Sequence, residues 1–164
     1  MQKAYWRAAD HAHQHNGEWD HYPLFNALDA DFLIAARGER AGFDARAGRL
    51  STLLQDGAEN ARRQYAENRD FFHALAEVEA QRLDALWACH DGRTDACLTE
   101  PDVLNRLIVS YCDIFKRLGS AREQDSATNQ LQFLIDMLPS GDESKKVKET
   151  LRKLSEGIRK CVAG

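Results

Sequence analysis

Residues 119–161 read GSAREQDSATNQLQFLIDMLPSGDESKKVKETLRKLSEGIRKC, and this stretch decides the fold class. Gly119 is a helix stop. Ser120 and Glu123 follow at the spacing of a capping box, and Leu131, Leu134, Ile135 and Leu138 then recur at helical intervals. Pro139 closes the segment, because the residue before a proline is pushed out of the helical region. Ser140 and Glu143 repeat the box and open a last helix, in which Val147, Leu151, Leu154, Ile158 and Cys161 step by four, three, four and three. That is a narrow seam of the kind used in coiled-coil packing. A helix of this length is marginal in water by itself, so the seam predicts docking, on the chain's own bundle or on a partner. With Lys145, Lys148 and Arg152 alongside Val147, Leu151, Leu154 and Ile158, it is the candidate partner-binding element.

Upstream the same signals continue. Thr99 with Asp102 forms a capping pattern around Pro101, ahead of a helix carrying Leu104, Leu107, Ile108, Tyr111, Phe115 and Leu118. From Asp56-Gly57 to His90 the composition predicts one long helix. Its apolar stripe is Ala61, Tyr65, Phe72, Ala76, Leu83 and Leu86, widened by Phe71, Leu75 and Val78. Arg62, Arg63, Glu67, Arg69 and Asp70 mark its wet side, and Arg69 and His73, four apart, share a face. A first helix runs from Gln2 to His15 and stops at Asn16-Gly17, and Pro23 suits the first turn of a second. Gly38, Gly42 and Gly48 make residues 37–50 a weak connection. No segment alternates as a strand does. The expected fold is all-α: a single domain over residues 1–164, an irregular bundle of about six to seven helices.

Composition narrows the function. The 164 residues are 43% hydrophobic and 29% charged, as in globular proteins, and no apolar run approaches a membrane span. A net charge of −4 offers no general attraction to nucleic acid. The charge is polarised: from Asp142 onward seven Lys/Arg stand against four Asp/Glu, about +3, which leaves about −7 on the rest. No apolar leader segment follows Met1, so the chain reads as cytoplasmic or as a mature secreted form.

No phosphate-binding glycine loop, nucleophile elbow, Cys-x-x-Cys or His-Glu-x-x-His occurs. The histidines are the first candidates for chemistry. His11 and His15 lie four apart on one helical face, Glu18 and His21 have Glu-x-x-His spacing, and His73 precedes Glu77 by four. Together these six would be the ligands of a divalent transition metal, although a di-metal bundle needs more carboxylates than they supply. Cys89 and Cys97 bracket a loop between two helices, close enough for a disulfide, whereas Cys112 and Cys161, both on apolar stripes, either pair or fill core. A zinc site on Cys89, His90 and Cys97 lacks a fourth ligand. The function expected from these features is non-enzymatic binding of another protein, as by an adaptor, chaperone, inhibitor or immunity protein. The alternative is a metal- or cofactor-binding bundle.

Overall fold

A computed structural model describes residues 2–39 and 47–163. Among them are seven α-helices and no strand: α1 Gln2–Asn16, α2 His21–Ala36, α3 Leu50–Asn68, α4 Phe71–His90, α5 Pro101–Leu118, α6 Ala121–Met137 and α7 Asp142–Ala163. The all-α expectation holds. Gly38, with φ +73°, ends the turn after α2, and Gly48 sits in a single 3-10 turn, Ala47–Arg49, before α3. Gly42 lies outside the described residues.

The chain forms two compact units, Met1–Asp84 and Ala85–Gly164. In the N-terminal unit α2 is apolar nearly all round and packs against α1 and α3. Gly57 explains the α2–α3 approach. A Cβ there would come within 2.9 Å of Phe25 Cε1 and 3.1 Å of Leu24 Cδ2. So Asp56-Gly57 is not the start of a helix. It lies inside α3, where the missing side chain lets α2 come close.

The break comes instead at Arg69, which takes the left-handed conformation (φ 49°, ψ 36°) and donates its N–H to the Tyr65 carbonyl at 2.8 Å. Asp70 then caps α4: its Oδ1 accepts from Phe72 N at 2.9 Å and His73 N at 3.3 Å. The single long helix expected from 56 to 90 is therefore two, and Arg69 and His73 do not share a face.

The interior of this unit is charged. Arg82 is fully buried, and its Nη1 and Nη2 donate to the two carboxylate oxygens of Asp29 at 2.9 and 2.8 Å. Its Nε donates to Glu79 at 2.8 Å. Asp31, also fully buried, accepts from Gln2 Nε2 and, at 3.0 Å, from Trp6 Nε1. Asn60 ties α3 to the α1–α2 linker by donating to the Trp19 carbonyl at 2.8 Å.

The C-terminal unit is built on α7, which packs against α5 and α6. Val147, Leu151, Leu154 and Ile158 are all buried, so the seam is covered by its own unit. Gly157 permits this approach, since a Cβ there would sit 2.8 Å from Ile108 Cδ1. Two disulfides close the unit. Cys89–Cys97 joins Cα atoms 4.5 Å apart across the loop after α4, and Cys112–Cys161 joins α5 to the end of α7 over 6.0 Å. The thiolates a zinc site at Cys89 and Cys97 would need are thereby consumed.

The Ser120–Glu123 capping box is formed as expected. The other two are not. Glu100 takes the cap position of α5, with Thr99 turned to Cys97 Sγ at 3.0 Å, and α7 opens one residue late, the Gly141 carbonyl accepting from Lys145 N at 2.8 Å.

Candidate functional site

Two helix starts meet in the N-terminal unit. Asp20 caps α2, its Oδ1 accepting from Tyr22 N at 3.0 Å, just as Asp70 caps α4. Each aspartate is followed within the first turn by aromatic side chains and a histidine: His21-Tyr22 after Asp20, and Phe71-Phe72-His73 after Asp70. The His21 and His73 rings lie 5.1 Å apart, tilted by 58°. His21 is 8% exposed and rests its edge against Phe25. Beside this pair Tyr22 is 61% exposed and Phe72 36%, the exposed large aromatics among the unit's described residues.

The electrostatics follow from burial. Desolvation pushes the His21 imidazole down to about 4, with His73 adding to the depression against the opposing pull of Asp20 and Asp70. His21 is thus neutral at pH 7, and its Nδ1, 3.8 Å from Asp20 Oδ1, forms no ion pair there. His73 Nδ1 lies 3.5 Å from Asp70 Oδ1. Neither Nδ1 has a hydrogen-bond partner, although both are buried. Each ring therefore presents Nδ1 to the carboxylate that caps its own helix.

The six residues expected to share a metal do not gather. His11 and His15 lie on the exposed side of α1 with ring centres 4.0 Å apart and planes tilted by 41°, and the His15 Nδ1 meets the His11 carbonyl at 2.9 Å. Glu18 is held by Arg63 at 2.9 Å, and Glu77 by Arg62 at 3.5 Å. Among the described residues no three His, Cys, Asp or Glu side chains could hold a metal ion together. His13 stacks flat on Trp19 with ring centres 4.3 Å apart.

Of the α7 residues, Lys145 and Arg152 are exposed, and Lys148, at the flank of the covered seam, is half-buried. No helix among the described residues is long and apolar enough to cross a membrane.

Sequence reasoning missed Asp20 and Asp70 as caps, although it had placed His21 and His73 in one candidate set, and of that set these two do come together. The local signal was present in Asp-His-Tyr-Pro and Asp-Phe-Phe-His, each an aspartate immediately before an apolar run. It also missed Asp29, Asp31, Glu79 and Arg82, for which only the apolar neighbours on both sides gave a hint. No protein-family model matches this chain, and no curated protein or solved structure is significantly similar to it.

Proposed function

We propose that this chain is a non-enzymatic protein-binding module, stiffened by disulfides, that engages its partner at the paired N-termini of α2 and α4. The observation that carries this reading is the exposure of Tyr22 and Phe72 on adjoining first turns. Aromatic side chains are enriched at the energetic centres of interfaces, because they bury large areas at little conformational cost. The backbone beneath them is fixed by the Asp20 and Asp70 caps, so little ordering is needed on binding.

The basic residues Lys145, Lys148 and Arg152 fit a lesser role. With Val147, Leu151, Leu154 and Ile158 covered, they have no apolar centre around them. Solvated charges of this kind contribute association rate more than affinity. The two disulfides support work in an oxidising compartment, since such bonds are reduced in most cytosols.

The test is quantitative affinity capture with wild-type protein and with the Tyr22→Ala/Phe72→Ala variant, followed by reconstitution of the complex from purified components. At about 2 kcal/mol per central aromatic, each truncation should weaken the complex roughly 30-fold. The melting temperature should hardly change, as both side chains are exposed. A reconstituted complex indifferent to both substitutions would sink the proposal.

A further inference from the structure

We propose that the buried contact between His21 and His73 is an acid-sensitive latch: while His21 is uncharged it holds the starts of α2 and α4 together, and its protonation opens that junction. The inference concerns the N-terminal unit itself and stands whether or not a partner binds there.

Three features define the latch. The two ring centres are 5.1 Å apart, so a charge on one ring is felt at close range by the other. His21 is more than nine-tenths buried with its edge on Phe25, a setting in which a neutral ring costs far less to bury than an imidazolium. Both rings also sit in first turns, His21 as the first residue of α2 and His73 as the third of α4, beside the positive ends of two helix dipoles.

Asp20 and Asp70 are the carboxylates that act on His21 and favour its protonation. Their side chains are nearly half exposed, so water screens them, and the Oδ1 of each already accepts from a cap N–H. His73 acts in the opposite sense, and among the described residues no charged group of α1 or α3 adds to this balance. Desolvation therefore wins, and His21 titrates at about 4 in the folded unit against 6.5 when unburied. Between those values the opened form binds a proton that the closed form excludes, so the closed form is favoured in full above pH 6.5 and loses ground as pH falls toward 4. Farther along, α2 is held by Asp29 on Arg82 and by Asp31 on Trp6. The release is thereby confined to the helix starts.

The test uses the disulfide-intact chain between pH 7.5 and 5, where carboxylates stay largely ionised. NMR titration should find the His21 ring still mainly neutral at pH 5. Leu24 N and Ala74 N donate to the Asp20 and Asp70 carbonyls, each at 3.2 Å, and report the two helix starts. Their protection against hydrogen exchange, corrected for the intrinsic rate, should fall roughly 30-fold over that range, while α5 and α7 keep theirs. His21→Phe keeps a ring in the pocket but takes no proton, and should abolish the fall. His11→Ala/His15→Ala should leave it unchanged. If His21→Phe does not fold, the wild-type ring titration and the place where protection is lost decide the matter. A His21 ring already protonated at pH 6, a fall that persists in His21→Phe, or protection lost evenly across the unit would each overturn the latch.

Discussion

The N-terminal unit buries charge and has no cysteine, whereas the C-terminal unit carries all four cysteines and, among its described residues, buries no charged side chain. In the first, Arg82 holds Asp29 and Glu79, and Asp31 takes hydrogen bonds from α1. In the second, the buried polar groups are hydroxyls, such as Thr128 and Thr150, which donate back to their own helices at 3.0 Å. The two solutions stabilise differently. A buried charge network acts in the folded state and punishes any incomplete version of itself. A disulfide acts chiefly on the unfolded chain by limiting its conformations.

The largest expected effect comes from breaking the network. Arg82→Ala leaves Asp29 and Glu79 in the interior without their cation and should cost about 3–5 kcal/mol in urea denaturation. Replacing all three by apolar residues of similar volume should recover most of that loss, since breaking a buried ion pair costs more than never forming it. A small loss from Arg82→Ala alone would show that the network relaxes to water, and the contrast between the units would fall.

The C-terminal counterpart is Leu154→Ala. Leu154 is fully buried in the seam of α7, and its truncation should cost about 2–5 kcal/mol by transfer and cavity terms together. Thermal melting of the isolated protein is the measurement. No change would mean that the seam waits for a partner instead of holding its own unit together.

This seam marks the limit of what was legible. Residues 119–161 announced their helices because apolar period, stop residues and one capping box all agreed. The α3–α4 break was obscured because Arg69 takes a left-handed conformation that no residue type there announces, and Gly57 drew attention to the wrong place. Asp29 and Arg82, 53 residues apart, read as ordinary surface charges, because only the meeting of α2 and α4 buries them. His21 and His73 were each visible, but their pairing depends on the same meeting, and Glu18 and Glu77 were attributed to a metal when arginines hold them.

Next in size is the long-range disulfide. Cys112 and Cys161 are separated by 49 residues, for which loop closure accounts for about 4 kcal/mol in the chain-entropy model, with measured values commonly about 2–4. Cys112→Ala/Cys161→Ala should lower stability by that order. Hydrogen exchange should quicken in α5 and α7 while protection in α1 and α2 stays the same. Loss of protection in both units would show that the two interiors do not behave as separate solutions.

The smallest effect is the most useful control, because both units use the same device at the same place. Asp70 caps α4 with two backbone contacts, and Ser120 caps α6 in a reciprocal box, with Glu123 Oε2 accepting from Ser120 N at 2.8 Å. Removing such a cap typically costs about 1 kcal/mol, because one or two N–H groups lose their acceptor and fall back on water. Asp70→Ala also removes a negative charge from the positive end of the helix dipole, worth a further ~0.3–1 kcal/mol that salt screens. Ser120→Ala removes no charge, and its loss should be insensitive to salt. Measured in urea at low and high ionic strength, the two variants should therefore differ modestly at low salt and converge at high salt. If Asp70→Ala instead costs several times more than Ser120→Ala at every salt concentration, Asp70 does more than cap α4. Its contact with His73 would then belong with the buried charges of the N-terminal unit, and the line between the two interiors would have to be redrawn around it.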